Sequence, residues 1–69
     1  MQKILEDEGI GLYRDNNKYF LRYDAGELTV KMKNLGISAE EAENVIENPD
    51  SAFDIILAYH DKGIYGEDS

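Results

Sequence analysis

One histidine and no cysteine set the first limit on the chemistry open to this sequence. Thiol nucleophiles, Cys-ligated zinc and iron–sulfur clusters need sulfur, and a His-rich metal site needs more than His60, so neither a metal nor a cofactor is expected. His60 stands beside Asp61, but neighbours on a helix point about 100° apart and form no relay. No serine in a Gly-x-Ser-x-Gly setting exists for it to activate, and His60 is read as a surface residue with no catalytic partner. Asp15-Asn16-Asn17 and Glu6-Asp7-Glu8 lack the glycine and closing glutamate of a calcium loop and are read as turn and tail chemistry.

Carboxylates carry the remaining signal. Glu40, Glu43, Glu47, Asp50 and Asp54 are spaced by 3, 4, 3 and 4 residues, which on a helix stacks side chains about 5 to 6 Å apart along one face. Pro49 interrupts that line, so Glu40, Glu43 and Glu47 form a ridge on one helix and Asp50 and Asp54 continue it at the start of another. Taken singly, acids in first turns suit the helix dipole and aid solubility. Taken together, six acids with no base between residues 40 and 54 repel one another at helical spacing, and that cost points to recognition of a basic partner. A one-signed acidic surface repels phosphates, which argues against direct nucleic-acid binding.

The elements that must position these groups follow from charge and periodicity. The 69 residues hold 15 acids and 7 bases, a net charge of −8, with 42% apolar residues. Residues 1–33 are neutral; the whole excess lies in residues 34–69, where Lys62 is the sole base. With no repeat and no linker, residues 1–69 form a single domain. The first half reads as strands. Ile10–Arg14 and Lys18–Tyr23 flank Asp15-Asn16-Asn17, residues suited to a tight hairpin. After Asp24-Ala25-Gly26, a turn in which Gly26 is free to take a positive φ, residues 27–33 alternate: Leu28, Val30 and Met32 inward, Glu27, Thr29, Lys31 and Lys33 outward. Ile4 and Leu5 begin an additional strand or extend the first, with Gly9-x-Gly11 marking a bulge or bend.

The second half reads as two helices. Ser38-x-x-Glu41 is a capping box opening a helix over about 38–47 with Ala42, Val45 and Ile46 inward. Asn48-Pro49-Asp50-Ser51 opens a second over 49–62, whose stripe is Ala52, Phe53, Ile55, Ile56 and Tyr59, stopped by Gly63. The predicted fold is α+β: a two-layer βββαα arrangement, with a three-stranded antiparallel meander over 1–34 packed against two C-terminal helices. The short tail 64–69 is expected to fray at its last three residues.

On the outer sheet face, Tyr13, Phe20 and Arg22, joined by Thr29, Lys31 and Lys33, combine aromatic and basic groups as single-strand-binding sheets do, but no RNP-like motif accompanies them. The same patch suits a secondary partner surface or a homodimer. No apolar run approaches the length of a membrane span and no signal-like segment precedes the acidic Glu6-Asp7-Glu8, so a cytoplasmic, non-membrane protein is expected.

In size and charge the chain resembles the small acidic inhibitors that phages and mobile elements direct against nucleic-acid-processing defence enzymes, anti-CRISPR and anti-restriction proteins among them, some of which mimic DNA. It is similar in the same respects to immunity proteins that neutralise basic nuclease toxins. The resemblance rests on no motif and transfers no residue. It implies a non-enzymatic, stoichiometric inhibitor that occludes the cationic site of a nuclease or other nucleic-acid-binding protein. An antitoxin-like immunity protein and a homodimeric assembly protein are the alternatives.

Overall fold

Turn chemistry shapes the first half of the chain, of which the computed structural model, covering the whole sequence, describes residues 1–26 and 29–68. Glu8 (φ 50°) and Gly9 (φ 83°) both take left-handed backbone, the pair of conformations whose twist suits a two-residue hairpin. They join β1 (Gln2–Asp7) to β2 (Ile10–Asp15). Asn16 (φ 57°) does the same between β2 and β3 (Lys18–Asp24), as its tolerance of that region foretells. β4 (Met32–Ile37), α1 (Ala39–Glu47), α2 (Ser51–Asp61) and β5 (Glu67–Asp68) follow. All five strands form one antiparallel sheet in chain order. The fold is α+β, a four-stranded meander followed by two helices, after which β5 returns to pair with β4.

Strand register explains the core. Leu5 pairs with Leu12, Leu12 with Leu21 and Leu21 with Leu35, which places a row of leucines across four strands on the face that the helices cover. Ala42 and Val45 of α1 and Ala52 and Ile56 of α2 complete the core. The glycine-x-glycine pair does not mark the bend in the first strands: Gly9 is in the turn, and the irregularity falls between Lys3 and Leu5.

The strand expected over residues 27–33 is β4, the fourth of five strands rather than the third of three, and it begins later than its alternation suggests. Residues 29–31 belong to a connection, Val30 is 78% exposed, and β4 places Leu35 at 1% exposure instead. Glu27 and Leu28 lie outside the described residues. A period of two has two frames, and a shift by one residue exchanges faces. Here pairing of Leu35 with Leu21 selects the odd frame, leaving Met32 half-buried on the outer face opposite Asp24 and bringing Lys33 to the helix side. The connection is held by Asp24, whose Oδ1 accepts from the backbone N–H of Gly26 and of Lys31 at 2.9 Å each. Gly26 is required there by close approach rather than by positive φ, since a Cβ would stand 1.7 Å from the Thr29 carbonyl oxygen.

Two apolar residues assigned to the helix cores are also exposed. Ile46 is 49% exposed and Phe53 58%. The Tyr59 hydroxyl of α2 reaches Glu41 on one flank of α1, and Ile46 lies on the opposite flank, away from that contact. Phe53 lies about 100° round α2 from Ala52, beyond the stripe that faces the sheet.

Candidate protein-binding site

The capping box forms as its sequence requires: the Glu41 N–H donates to Ser38 Oγ, and the Ser38 N–H donates to Glu41 Oε1. Glu41 Oε1 also accepts from the Tyr59 hydroxyl at 2.7 Å, tying the two helices together. Burial works to raise the Glu41 carboxyl, but the Ser38 N–H, the Tyr59 and Ser38 hydroxyls and the charge of Lys62 outweigh it and hold Glu41 below the usual glutamate range. This acid therefore has a structural task.

Its neighbours have none. Glu40, Glu43 and Glu47 are exposed on the side of α1 opposite Ala42 and Val45, and Asp50 and Asp54 are exposed on α2. Among the described residues, these five carboxylates make no ion pair and no side-chain hydrogen bond. Asp50 occupies the N-cap position of α2, yet its side chain caps nothing. The arrangement separates the five into a ridge on α1 and a pair on α2, and Asp50 meets other acids that the spacing of residues 40–54 does not group with it.

Those acids border an apolar groove. Between α2 and the strand ends of β2 and β3 lies an open hollow of about 410 Å³, walled by Ile10, Ile56, Phe53 and Leu57 and rimmed by Glu8 and Asp24. A second hollow of about 390 Å³ shares Glu8, Ile10 and Phe53 and continues past Asp7 and Asp50. Leu57 is 45% exposed. Backbone N–H donation from Lys31 and Gly26 holds the Asp24 carboxyl below its ordinary range, which favours its charged form. Sequence reasoning missed the groove. The available signal was width: Ala52, Phe53, Ile55, Ile56, Leu57 and Tyr59 span more of a helix than one buried stripe needs.

On the outer sheet face Tyr13, Phe20 and Arg22 come together. Register places Tyr13 beside Phe20 and Arg22 beside Gly11. The Tyr13 ring lies so close over Gly11 that a Cβ there would stand 2.7 Å from it, and Phe20 packs 3.8 Å from the corresponding point on Gly36. The Arg22 guanidinium sits 5.7 Å from the Tyr13 ring centre. All three side chains are half-buried. Of the bases grouped with them, Lys31 lies in the β3–β4 connection and Lys33 on the opposite face, bonded to Asp68.

His60 is not a free surface residue. Its Nε2 lies 2.8 Å from the Tyr23 hydroxyl, which itself donates to the Tyr65 carbonyl at 2.8 Å. With the phenol proton committed to Tyr65, His60 Nε2 carries the hydrogen and donates. The His60 and Tyr65 rings also meet at 4.9 Å. This clasp lays the tail along the sheet, where Glu67 and Asp68 pair with Asn34 and Lys33 instead of fraying; Ser69 lies outside the described residues.

Among the described residues, no three His, Asp or Glu side chains converge on a point that would hold a metal ion, and no helix is long and apolar enough to cross a membrane. No family model, curated protein or solved structure matches this chain.

Proposed function

We propose that this chain is a non-enzymatic, acidic protein-binding module acting in the cytoplasm as a stoichiometric inhibitor of a basic, nucleic-acid-binding protein. The observation that carries the reading is the set of five exposed carboxylates on the two helices, Glu40, Glu43, Glu47, Asp50 and Asp54, which among the described residues have neither cation nor hydrogen-bond donor within the protein. Repulsion within this set opposes folding, and recognition of cations in a partner offsets it. The mechanism is occlusion: the carboxylates take the lysine and arginine positions that otherwise hold phosphates. Apolar side chains next to Asp50 and Asp54 add affinity that salt does not screen. Neutralisation of a nuclease by an immunity protein is one form of this mechanism.

Pull-down from a lysate at graded salt, followed by a nucleic-acid competition assay on the captured protein, tests the reading. One basic protein should be retained, release as salt rises and lose its nucleic acid on binding. Capture that is indifferent to salt, or a captured protein that keeps its nucleic acid, would overturn it.

A further inference from the structure

We propose, building on the protein-binding reading, that the groove between α2 and the strand ends of β2 and β3 receives a single cationic amphipathic helix of the partner. Phe53 and Leu57 stand one turn apart on α2 and are 58% and 45% exposed, above a floor made by Ile10 and Ile56. Large apolar side chains in such a groove gain by being covered. Glu8 and Asp24 stand on one side and Asp50 at one end, while Asp54 follows Phe53 on the solvent side of α2. An occupant with apolar anchors therefore needs basic flanks.

Backbone accounting selects a helix. β2 and β3 each have a strand on both sides, so the groove offers no free edge to an extended peptide, and the occupant must satisfy its own N–H and C=O groups. From Asp50 to His60 the groove runs about 15 Å at the helical rise, room for two to three turns with anchors at i, i+3 or i+4, and i+7. A second copy of this chain is disfavoured because its helices present carboxylates to these same acids, and anionic lipid headgroups are disfavoured for the same reason.

The test titrates isotope-labelled protein with a synthetic Lys/Leu peptide of about 14 residues patterned as an amphipathic helix, against a scrambled isomer of identical composition. The patterned peptide should become helical, shift the amides of Ile10, Ala25, Phe53 and Leu57, and bind about tenfold more weakly to Phe53→Ser and to Leu57→Ser. Both residues are exposed, and unchanged melting curves would verify that the variants fold. Groove shifts should persist in a Glu40→Gln, Glu43→Gln, Glu47→Gln variant. Equal affinity for the scrambled isomer, shifts confined to α1, or dimerisation of the protein that Phe53→Ser abolishes would each overturn the groove proposal. Shifts confined to α1 would leave the protein-binding reading in place, whereas no salt-sensitive binding of either peptide would remove both.

Discussion

Removing one oxygen atom from Tyr23 separates a tail that is held from one that is only adjacent. The phenol is inside the protein, with His60 donating to it and the Tyr65 carbonyl accepting from it, so Tyr23→Phe strands two polar partners. The expected loss is about 1 to 2 kcal/mol in urea unfolding at unchanged slope, with faster amide exchange at Glu67 and Asp68. A loss under about 0.5 kcal/mol would show that the clasp holds nothing. Glu41 gives stability a dependence on pH. Its carboxyl is held below the usual range in the folded protein, so its contribution is fully present above the ordinary glutamate value and is lost as pH falls through the folded one. Stability should therefore decline below about pH 4.5, and Glu41→Gln should be less stable at pH 7 while showing a shallower decline in acid, measured by urea midpoints across pH.

At the scale of elements, the frame of β4 is the sharpest question that substitution can ask. Leu35→Ala should cost about 2 to 5 kcal/mol, because it opens a cavity in the leucine row, and Ile56→Ala should cost a similar amount on the facing helix. Val30→Ala, in the exposed connection, should change stability by less than about 0.5 kcal/mol. The opposite ranking of Leu35 and Val30 in urea melts would restore a strand over residues 27–33. This contrast also shows what was legible in the sequence. The capping box, the proline break, the Gly63 stop, the Asn16 turn and the order of strands before helices are local, and each is encoded by residues within a few positions of one another. The start of β4 is not local. Leu28, Val30 and Met32 alternate as well as Lys33, Leu35 and Ile37 do, and Asn34 and Gly36 are poor strand formers, so only pairing with β3 decides between the frames. The same holds for the groove: the acids on the helices were visible as a set, but their separation into a ridge and a rim depends on where α2 meets Glu8 and Asp24, residues far away in sequence.

For the whole molecule the question is why a chain this short tolerates so uneven a charge. Few side chains of any size lie fully inside, Leu12, Leu21, Leu35 and Val45 being the largest among the described residues, and a domain of this size has only a few kcal/mol of net stability to spare. A helix that needed only to stay soluble would place lysine among Glu40, Glu43 and Glu47 and convert repulsion into attraction. The Glu40→Gln, Glu43→Gln, Glu47→Gln variant isolates this trade, since glutamine keeps the shape and most of the helix propensity while removing three charges. Its melting temperature should rise slightly at low salt, because Glu40–Glu43 and Glu43–Glu47 are neighbouring pairs, and the rise should vanish at high salt as screening removes the repulsion. Affinity for a basic partner should fall over the same salt range, by about 1 to 3 kcal/mol for each carboxylate that engages a partly desolvated lysine or arginine. Calorimetric melts and titrations at matched salt would follow both quantities on one preparation. Opposed movement is what a charge retained for recognition produces; a variant that melts higher yet binds as tightly as the parent would take the α1 ridge out of the mechanism and leave the α2 groove as the binding surface.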